Sequence, residues 1–445
     1  MFYQKFHYIF VKKDFIKYSQ QSKLFGVQMA ISEINIKNFK SFNKLDIELG
    51  HFSVIIGANG SGKSNFVQIF KFLREIIKSD LSNAIQMQGG IRYLKNIKLS
   101  KNQSFSLSII NKYSESSFLL YDKNTQFNIG IQPSQFRYEF NIDFLKRGMN
   151  YTIVKDILNI KCKTVKFEKK KPKIIEKSGN IEFIYTRKNG NIRLDLKNPN
   201  KLPINEKDIL PPLKLFKIPL KSLIIEIPFI SYPFIYDELK DIKTYNFDPI
   251  LSKKATPITG KSQLEEDGSN LSIALQKNIK NPKNKRKLYN LISDLLPFIS
   301  RLGVDKIADK SILFKVKEVY SENIYLPALF ISDGTLNILS MIIALYFEPN
   351  KIIIIEEPER HLHPFLLSKV VEMMKDASKD KQIIITTHNP EIVKYAGIEN
   401  LYLISRGSDG FSKITRPADK KEINQFLKED IGLDQLFIDQ ILEAY

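Results

Sequence analysis

From Ile31 onward the apolar residues Ile34, Ile36 and Phe39, then Phe42, Leu45, Ile47 and Leu49, alternate with polar ones, the two-residue period of paired strands that bury one face. The alternation gives way to a continuous apolar run, Phe52 to Ile56, rich in β-branched residues and closed by Gly57, which predicts a short buried strand. A helical period follows: Phe66, Ile69, Phe70, Phe72, Leu73, Ile76 and Ile77 fall on one face of a helix across Asn65 to Ile77. A second helical stretch, Leu81 to Gln88, stops at Gly89-Gly90.

Beyond it the period returns to two. Ser104 to Ile110, Phe136 to Ile142, Lys163 to Phe167, Ile181 to Thr186 and Ile192 to Leu196 are alternating runs separated by Gly, Asn and Pro, the pattern of an antiparallel sheet. Residues 201 to 250 are interrupted by prolines and lean towards helix. Leu264 to Ile279 and Arg286 to Leu296 predict helices joined across the basic stretch Lys280, Lys283, Lys285, Arg286 and Lys287. An apolar helix over Leu336 to Phe347, a buried strand over Lys351 to Ile355, a helix over His361 to Met374 and a strand over Gln382 to Thr386 complete the pattern. No sustained heptads occur between Gly57 and residue 330, which argues against a long coiled-coil arm, and no internal repeat is visible. Residues 1 to 28 lack the apolar core and small-residue cleavage site of a signal peptide, and the folded pattern starts only after Met29, so they are expected to be an appendage or an upstream mis-start.

The first chemistry lies between the buried strand and its helix. Gly57-Ala58-Asn59-Gly60-Ser61-Gly62-Lys63-Ser64 matches G-x-x-x-x-G-K-[ST] in the strand, loop and helix context that a phosphate-binding loop requires. Its backbone N–H groups would wrap phosphates, Lys63 would reach the β and γ phosphates, and Ser64 would ligand Mg²⁺.

Composition narrows the partners. The chain has 445 residues, 43% of them hydrophobic, enough for one large domain or two to three ordinary ones. A net charge of +20 favours a polyanionic partner such as DNA, although a lysine-rich composition throughout would give the same number without a binding face. Two clusters, Lys161 to Lys177 and Lys280 to Lys287, read first as solvated surface, the former as a hairpin, with contacts to a phosphate backbone as the alternative. The single cysteine, Cys162, excludes an internal disulfide and a four-cysteine zinc site and suits the cytoplasm. No apolar stretch approaches the roughly 20 residues that a membrane helix needs.

A second group of motifs lies towards the C-terminus. Ser332 in Ile331-Ser332-Asp333-Gly334-Thr335 is placed to cap a helix whose start would seat a phosphate. Glu356-Glu357-Pro358-Glu359 ends the strand of four isoleucines, and paired carboxylates there are costly unless they serve a cation or a proton transfer. In a phosphate-loop enzyme Glu356 would complete the Mg²⁺ shell and Glu357 would orient and deprotonate the attacking water. His388, at the end of the next strand in Thr387-His388-Asn389-Pro390, could hydrogen-bond the γ phosphate and sense its loss.

The order GANGSGKS, ISDGT, IIIIEEPE, HLHP and TTHNP resembles the ABC-type ATPases of the RecF and SMC class, and more closely the stand-alone prokaryotic RecF-related ATPases of AAA type. Phe39-Lys40-Ser41-Phe42, Gly89-Gly90, Asp267-Gly268-Ser269-Asn270-Leu271 and Gly432-Leu433-Asp434-Gln435-Leu436 extend the match, which covers about 29 to 445 and is thinnest between 105 and 260. The resemblance implies an α/β fold: an ABC-type ATPase head with a mixed sheet around the P-loop, an antiparallel β subdomain and a helical lid. It divides 29–445 into a P-loop lobe with the β subdomain (29–200), a helical lid and insertion (201–330) and a signature, acidic and histidine lobe (331–445). It also implies ATP and Mg²⁺ as ligands, with Gly57 to Asn65, Lys40 and Ser41 around the nucleotide and Gln86 or Gln88 towards the Mg²⁺. Ser332 and Gly334 would contact the γ phosphate of a second subunit, so a homodimer would sandwich two ATP molecules. Glu356 stands where many relatives have Asp, and Asp333 replaces a glycine of the transporter signature; both occur in the stand-alone group.

Three functions are compatible with these residues. The first is an ATP-driven switch acting on DNA in repair or in defence against phage, with any nuclease a separate subunit. The others are the motor of a membrane transporter, against which Asp333 and the β-rich insertion argue, and a nucleotide-binding scaffold without turnover.

Overall fold

The computed structural model describes residues 31–99, 103–112, 129–145, 150–168, 171–198, 218–227, 236–321 and 324–419; the stretch 1–28 and the motif Gly432 to Leu436 lie outside the described residues. Contacts divide the chain into two compact units, one built from Phe72–Lys240 with the described residues before Leu49, the other from Leu49–Lys71 with the described residues from Asp241 onward.

The first unit is a seven-stranded antiparallel sheet in the order β2-β1-β4-β5-β6-β7-β8, formed by β1 (Glu33–Phe39), β2 (Phe42–Glu48), β4 (Phe105–Lys112), β5 (Ile129–Phe144), β6 (Tyr151–Glu168), β7 (Lys171–Lys188) and β8 (Asn191–Lys197). In the β1–β2 hairpin Ile34 faces Ile47 and Ile36 faces Leu45, as the alternation predicts. Strands β5 to β7 run far beyond the short runs expected for them. Their pairing shifts between Pro133 and Gln135, Asn141 and Ile142, and Lys163 and Val165, and each such shift moves the apolar positions to the other face and interrupts the readable period. Of the basic cluster, Lys161 and Lys163 are exposed on β6.

The segment 218–227 docks on this sheet through a buried carboxylate. Asp156, 1% exposed, accepts hydrogen bonds from the Tyr138 hydroxyl at 3.0 Å and from the Ile224 amide at 2.9 Å. Glu226 accepts from the amides of Leu81 and Leu223.

The second unit holds a six-stranded sheet in the order β17-β16-β3-β15-β14-β9, with β3 (Phe52–Ile56), β9 (Lys243–Tyr245), β14 (Ile352–Glu356), β15 (Gln382–Thr387), β16 (Leu401–Arg406) and β17 (Ser412–Thr415). All neighbours are parallel except β16 and β17. Val54 and Ile56 of β3, Ile353 and Ile355 of β14 and Ile383 and Ile385 of β15 share one apolar core with Ile338, Leu339 and Ile342. Those last three belong to the apolar helix predicted after Ser332, which spans Asp333–Tyr346. Along the chain, α1 (Lys63–Lys78) passes into the first unit at Phe72, α2 (Leu81–Met87) lies in the first unit, and α3 (Leu271–Lys280) and α4 (Pro282–Leu295) lie in the second. The helix over Asp333–Tyr346 is α5, and α6 (Pro364–Ala377) and α7 (Pro390–Ala396) follow β14 and β15.

Between 236 and 330 the structure departs from the expected helices. Helix α3 starts at Leu271, not Leu264, because the Asn270 side chain ties the preceding loop together, accepting from the Glu265 amide and donating to the carbonyls of Lys261 and Gln263. The basic stretch is not a joint: Asn281 caps α4 and Pro282 opens it, so Lys283, Lys285, Arg286 and Lys287 lie on its first turns. Strands β11 (Ile299–Ile307) and β12 (Ser311–Glu318) then form a small antiparallel sheet with β10 (Thr256–Pro257) and β13 (Leu326–Pro327), and α3 packs on β11 and β12. The proline-interrupted region supplies the edge strand β9 of the main sheet, which pairs with β14.

Burial raises the pKa of Asp156 from 3.8 to about 7, against the opposing hydrogen bonds from Ile224 and Tyr138, and raises that of Glu226 from 4.5 to about 7. The folded-state values lie above the unfolded ones, so this stabilisation is complete below about pH 4 and is lost as pH rises through about 7. Asp156→Asn is expected to flatten that decline and leave the share of Glu226; urea unfolding at about pH 5 and about pH 8 measures the difference.

Candidate active site

The parallel register sets three strand ends side by side. Glu356 pairs with Thr386, and Thr386 with Ile55, so the loop after β3, the acids after β14 and His388 after β15 leave one edge of one sheet. Parallel sheets present their ligand sites at this carboxyl edge.

The loop takes its shape from neighbours far along the chain. A Cβ at Gly57 would lie 2.1 Å from the carbonyl oxygen of Ile404 on β16, so only glycine fits there. The Ser412 hydroxyl on β17 donates to the carbonyl of Ser61 at 2.5 Å. Gly60 and Gly62 have φ of 79° and 118°. Lys63 opens α1 with its ammonium turned onto the loop, donating to the carbonyls of Gly57 at 2.6 Å and Ala58 at 2.9 Å. Burial lowers its pKa, and the charges of Glu357 and Glu359 offset this in part. Ala58, Asn59, Gly60 and Ser64 are exposed, whereas Ser61 is buried and its Oγ has no hydrogen-bond partner. Asn65 follows on the helix, half-buried. A buried hydroxyl without a partner and an exposed Ser64 at a helix start fit a phosphate group and its cation.

The three acids after β14 differ in environment. Glu356 is half-buried, and burial raises its pKa despite Lys71, whose ammonium lies 3.9 Å away. Glu357 has a φ of 48°, a left-handed conformation that costs an L residue about 1–2 kcal/mol. Its amide donates to the carbonyl of Thr386 at 2.8 Å, its Oε1 lies 3.2 Å from His388 Nδ1, and its Oε2 accepts from Arg360 Nη2 at 2.5 Å. Burial opposes ionisation of Glu357, but the hydrogen bond and charge of Arg360, with His388, outweigh it and hold the carboxyl below its ordinary value. Glu359, 8% exposed, accepts from the Thr387 hydroxyl, and burial raises its pKa.

Ser332 caps α5 as expected: its Oγ accepts from the Thr335 amide at 3.3 Å and lies 2.8 Å from the Thr335 hydroxyl. Asp333 pairs with Lys253 at 2.6 Å. A Cβ at Gly334 would sit 2.6 Å from the carbonyl oxygen of His361, so α5 starts directly against the turn that follows the acids. His363 accepts from the Phe365 amide and caps α6, which therefore starts at Pro364 and not at His361.

Lys40, Ser41, Gln86 and Gln88 belong to the other unit. Lys40 turns the β1–β2 hairpin with a φ of 46°, and burial lowers its pKa. Ser41 and Gln88 are buried and Gln86 is exposed.

Glu359, Arg360 and Asn246 were not among the expected site residues. Glu357 and Arg360, three residues apart, lie in a turn and not on a helix, so the helical spacing rule does not announce their ion pair. Asn246 carried no signal either, since its place is set by where β9 ends.

What the register assembles is the site of an AAA-type domain with a phosphate-binding loop. The family model described as "AAA domain, putative AbiEii toxin, Type IV TA system" matches residues 52–202 and 199–394, and the chain belongs to that family. It is 23% identical over 434 residues to "Retron Ec83 probable ATPase" of Escherichia coli, with 88% of this chain and 75% of that protein covered. It is also 23% identical over 391 residues to "Endonuclease GajA" of Bacillus cereus (strain VD045), covering 82% of this chain and 56% of that protein. Among solved structures, the Smc head domain with an extended coiled coil, bound to the C-terminal domain of ScpA derived from Pyrococcus furiosus, is similar with a TM-score of 0.47 and 13% identity, over 89% of this chain and 99% of that one. No helix among the described residues is long and apolar enough to cross a membrane, and no group of three or more His, Cys, Asp and Glu side chains among them is placed to hold a metal ion.

Because Ile404 meets Gly57, Gly57→Ala should lower stability by about 1–3 kcal/mol, the usual cost of overpacking, and weaken nucleotide binding. Urea unfolding and titration with a fluorescent ATP analogue measure the two effects.

Proposed function

We propose that this chain binds ATP with Mg²⁺ and hydrolyses it, and that two copies close around two ATP molecules to form a switch that acts on DNA. The observation that carries the reading is the carboxylate of Glu357, ionised between Arg360 and His388 on the edge that also carries the loop. Loop residues Gly57 to Asn65 would bind the phosphates, with Lys63 exchanging its two carbonyl partners for phosphate oxygens. Ser64 and Glu356 would hold Mg²⁺, which supplies charge neutralisation on the phosphates. Glu357 accepts a proton from the attacking water as its oxygen bonds to the γ phosphorus and the bond to the β-phosphate oxygen breaks. His388 lies 3.2 Å from Glu357 through Nδ1, which leaves Nε2 to hydrogen-bond the γ phosphate.

Glu357→Gln should retain ATP and lose roughly 10²- to 10⁴-fold in turnover, whereas Lys63→Ala should weaken binding and turnover together. Phosphate-release kinetics and nucleotide titration separate the two, and unchanged rates in both variants would refute the assignment.

Ser332 and Gly334 begin a helix of their own, so the sandwich reading gives them to the nucleotide of a second copy. Charge-stabilising donors of this kind are worth about 3–4 kcal/mol in a transition state. ATP with Glu357→Gln should then trap a dimer in sedimentation experiments, and Ser332→Arg should block it. Mixing these two inactive variants should restore activity through one complete site per mixed dimer. Monomers alone with ATP bound, and turnover independent of protein concentration, would rule the sandwich out.

The net charge of +20 supports DNA as the partner, and the names of the two relatives, a retron ATPase and an endonuclease, support work alongside a nuclease. The setting we propose is repair or defence against phage, with the nuclease a separate subunit. With about six phosphate contacts, DNA affinity should fall on the order of 10³-fold between about 50 and 200 mM salt. Binding that is absent or insensitive to salt, with and without ATP, would remove DNA from the reading.

A further inference from the structure

Arg360 stands where two strands end and a helix begins. Its Nη2 donates to Glu357 Oε2 at 2.5 Å after β14, and its Nη1 donates to Asn246 Oδ1 at 3.2 Å directly after β9. Its carbonyl accepts from Asn337 Nδ2 of α5 at 2.5 Å, and its amide closes a turn onto the carbonyl of Glu357 at 3.1 Å. The Asn246 amide is held in its turn by the carbonyl of Glu266, in the loop before Gly268. Neither end of the Glu357–Asn246 bridge therefore hangs on a free loop.

We propose that Arg360, anchored by Asn246, is the positioning residue of Glu357, required for turnover and not for nucleotide binding. The proposal rests on the reading of Glu357 as the base. Glu357 leaves its strand in a left-handed conformation, and among the described residues His388 and Arg360 grip the carboxylate, one on each oxygen. With His388 facing the substrate, the orientation of the carboxylate falls to Arg360. A guanidinium can do this because its N–H groups lie in one rigid plane and reach Glu357 and Asn246 together, whereas an ammonium is a single point of charge. Asn337 adds a second consequence: the backbone of Arg360 is tied to the helix that Ser332 caps.

The side chain of Arg360 is 43% exposed and Asn246 is exposed, so replacing either leaves no cavity. The test compares steady-state and single-turnover hydrolysis, together with the affinity for a fluorescent ATP analogue, in Arg360→Ala, Arg360→Lys, Asn246→Ala, Glu357→Gln and the double variant Arg360→Ala with Glu357→Gln. Arg360→Ala should lose on the order of 10- to 100-fold in kcat, as a misplaced catalytic group does, with KM and nucleotide affinity unmoved. Arg360→Lys should recover part of the loss, Asn246→Ala should show a smaller loss of the same kind, and Arg360→Ala should add nothing to Glu357→Gln. An Arg360→Ala enzyme with unchanged or raised kcat, with its loss confined to KM, or with a loss that multiplies that of Glu357→Gln overturns the proposal. Full turnover in Glu357→Gln alone overturns the hydrolytic reading, and the proposal with it.

Discussion

The site depends on one set of hydrogen bonds, the parallel ladder that joins β14 to β15 and β15 to β3. Its register puts Glu356, Thr386 and Ile55 in one row. A slip of one residue would turn every isoleucine of these strands to the opposite face and move the acids relative to the loop. The ladder continues past the strands: the Glu357 amide still bonds the Thr386 carbonyl, and the Gly57 amide reaches the Thr387 carbonyl at 3.4 Å. The geometry of the candidate site and the packing of the core are therefore set by the same bonds, and the buried isoleucines on both faces hold that register in place.

Three carboxylates within four residues would repel one another if all were ionised in the same surroundings. The structure separates them by environment: burial favours the neutral form at Glu356 and Glu359, and Arg360 with His388 favours the charged form at Glu357. Arg360 and His388 thus favour the carboxylate at Glu357, whereas burial opposes it at its two neighbours. A cation beside Glu356 would favour its charged form, and its buried position would feel that charge strongly.

Much of this was readable in the chain. The loop, its strand and its helix are contiguous, so the sequence carries their whole context, and the runs ending at Glu356 and Thr387 are long and apolar enough to read as buried strands. What was not readable depends on tertiary partners. Strand β9 is three residues long and shows no period; it is a strand because β14 lies beside it. Strand β11 carries Gly303 at its centre and exposed residues over its second half, so its alternation fades, while the bulges of β5 to β7 interrupt theirs. The grip of Arg360 on Glu357 is made within one turn, but its anchor at Asn246 lies 114 positions away in the chain and has no local signature.

The bracing of the loop by Ile404 and Ser412 bears on how the protein comes into being. The hydroxyl of Ser412 and the carbonyl of Ser61 are separated by 351 positions in sequence, and both neighbours of β3 in the sheet, β15 and β16, come from the last part of the described chain. A ribosome that has released the loop has released none of the strands that shape it. Ordering the ends of so long a segment must precede the contacts that reward it, which makes such a centre slow to form. During synthesis strand β3 therefore waits without its sheet, exposed to other chains, and the loop can take its shape only after the chain has emerged through β17.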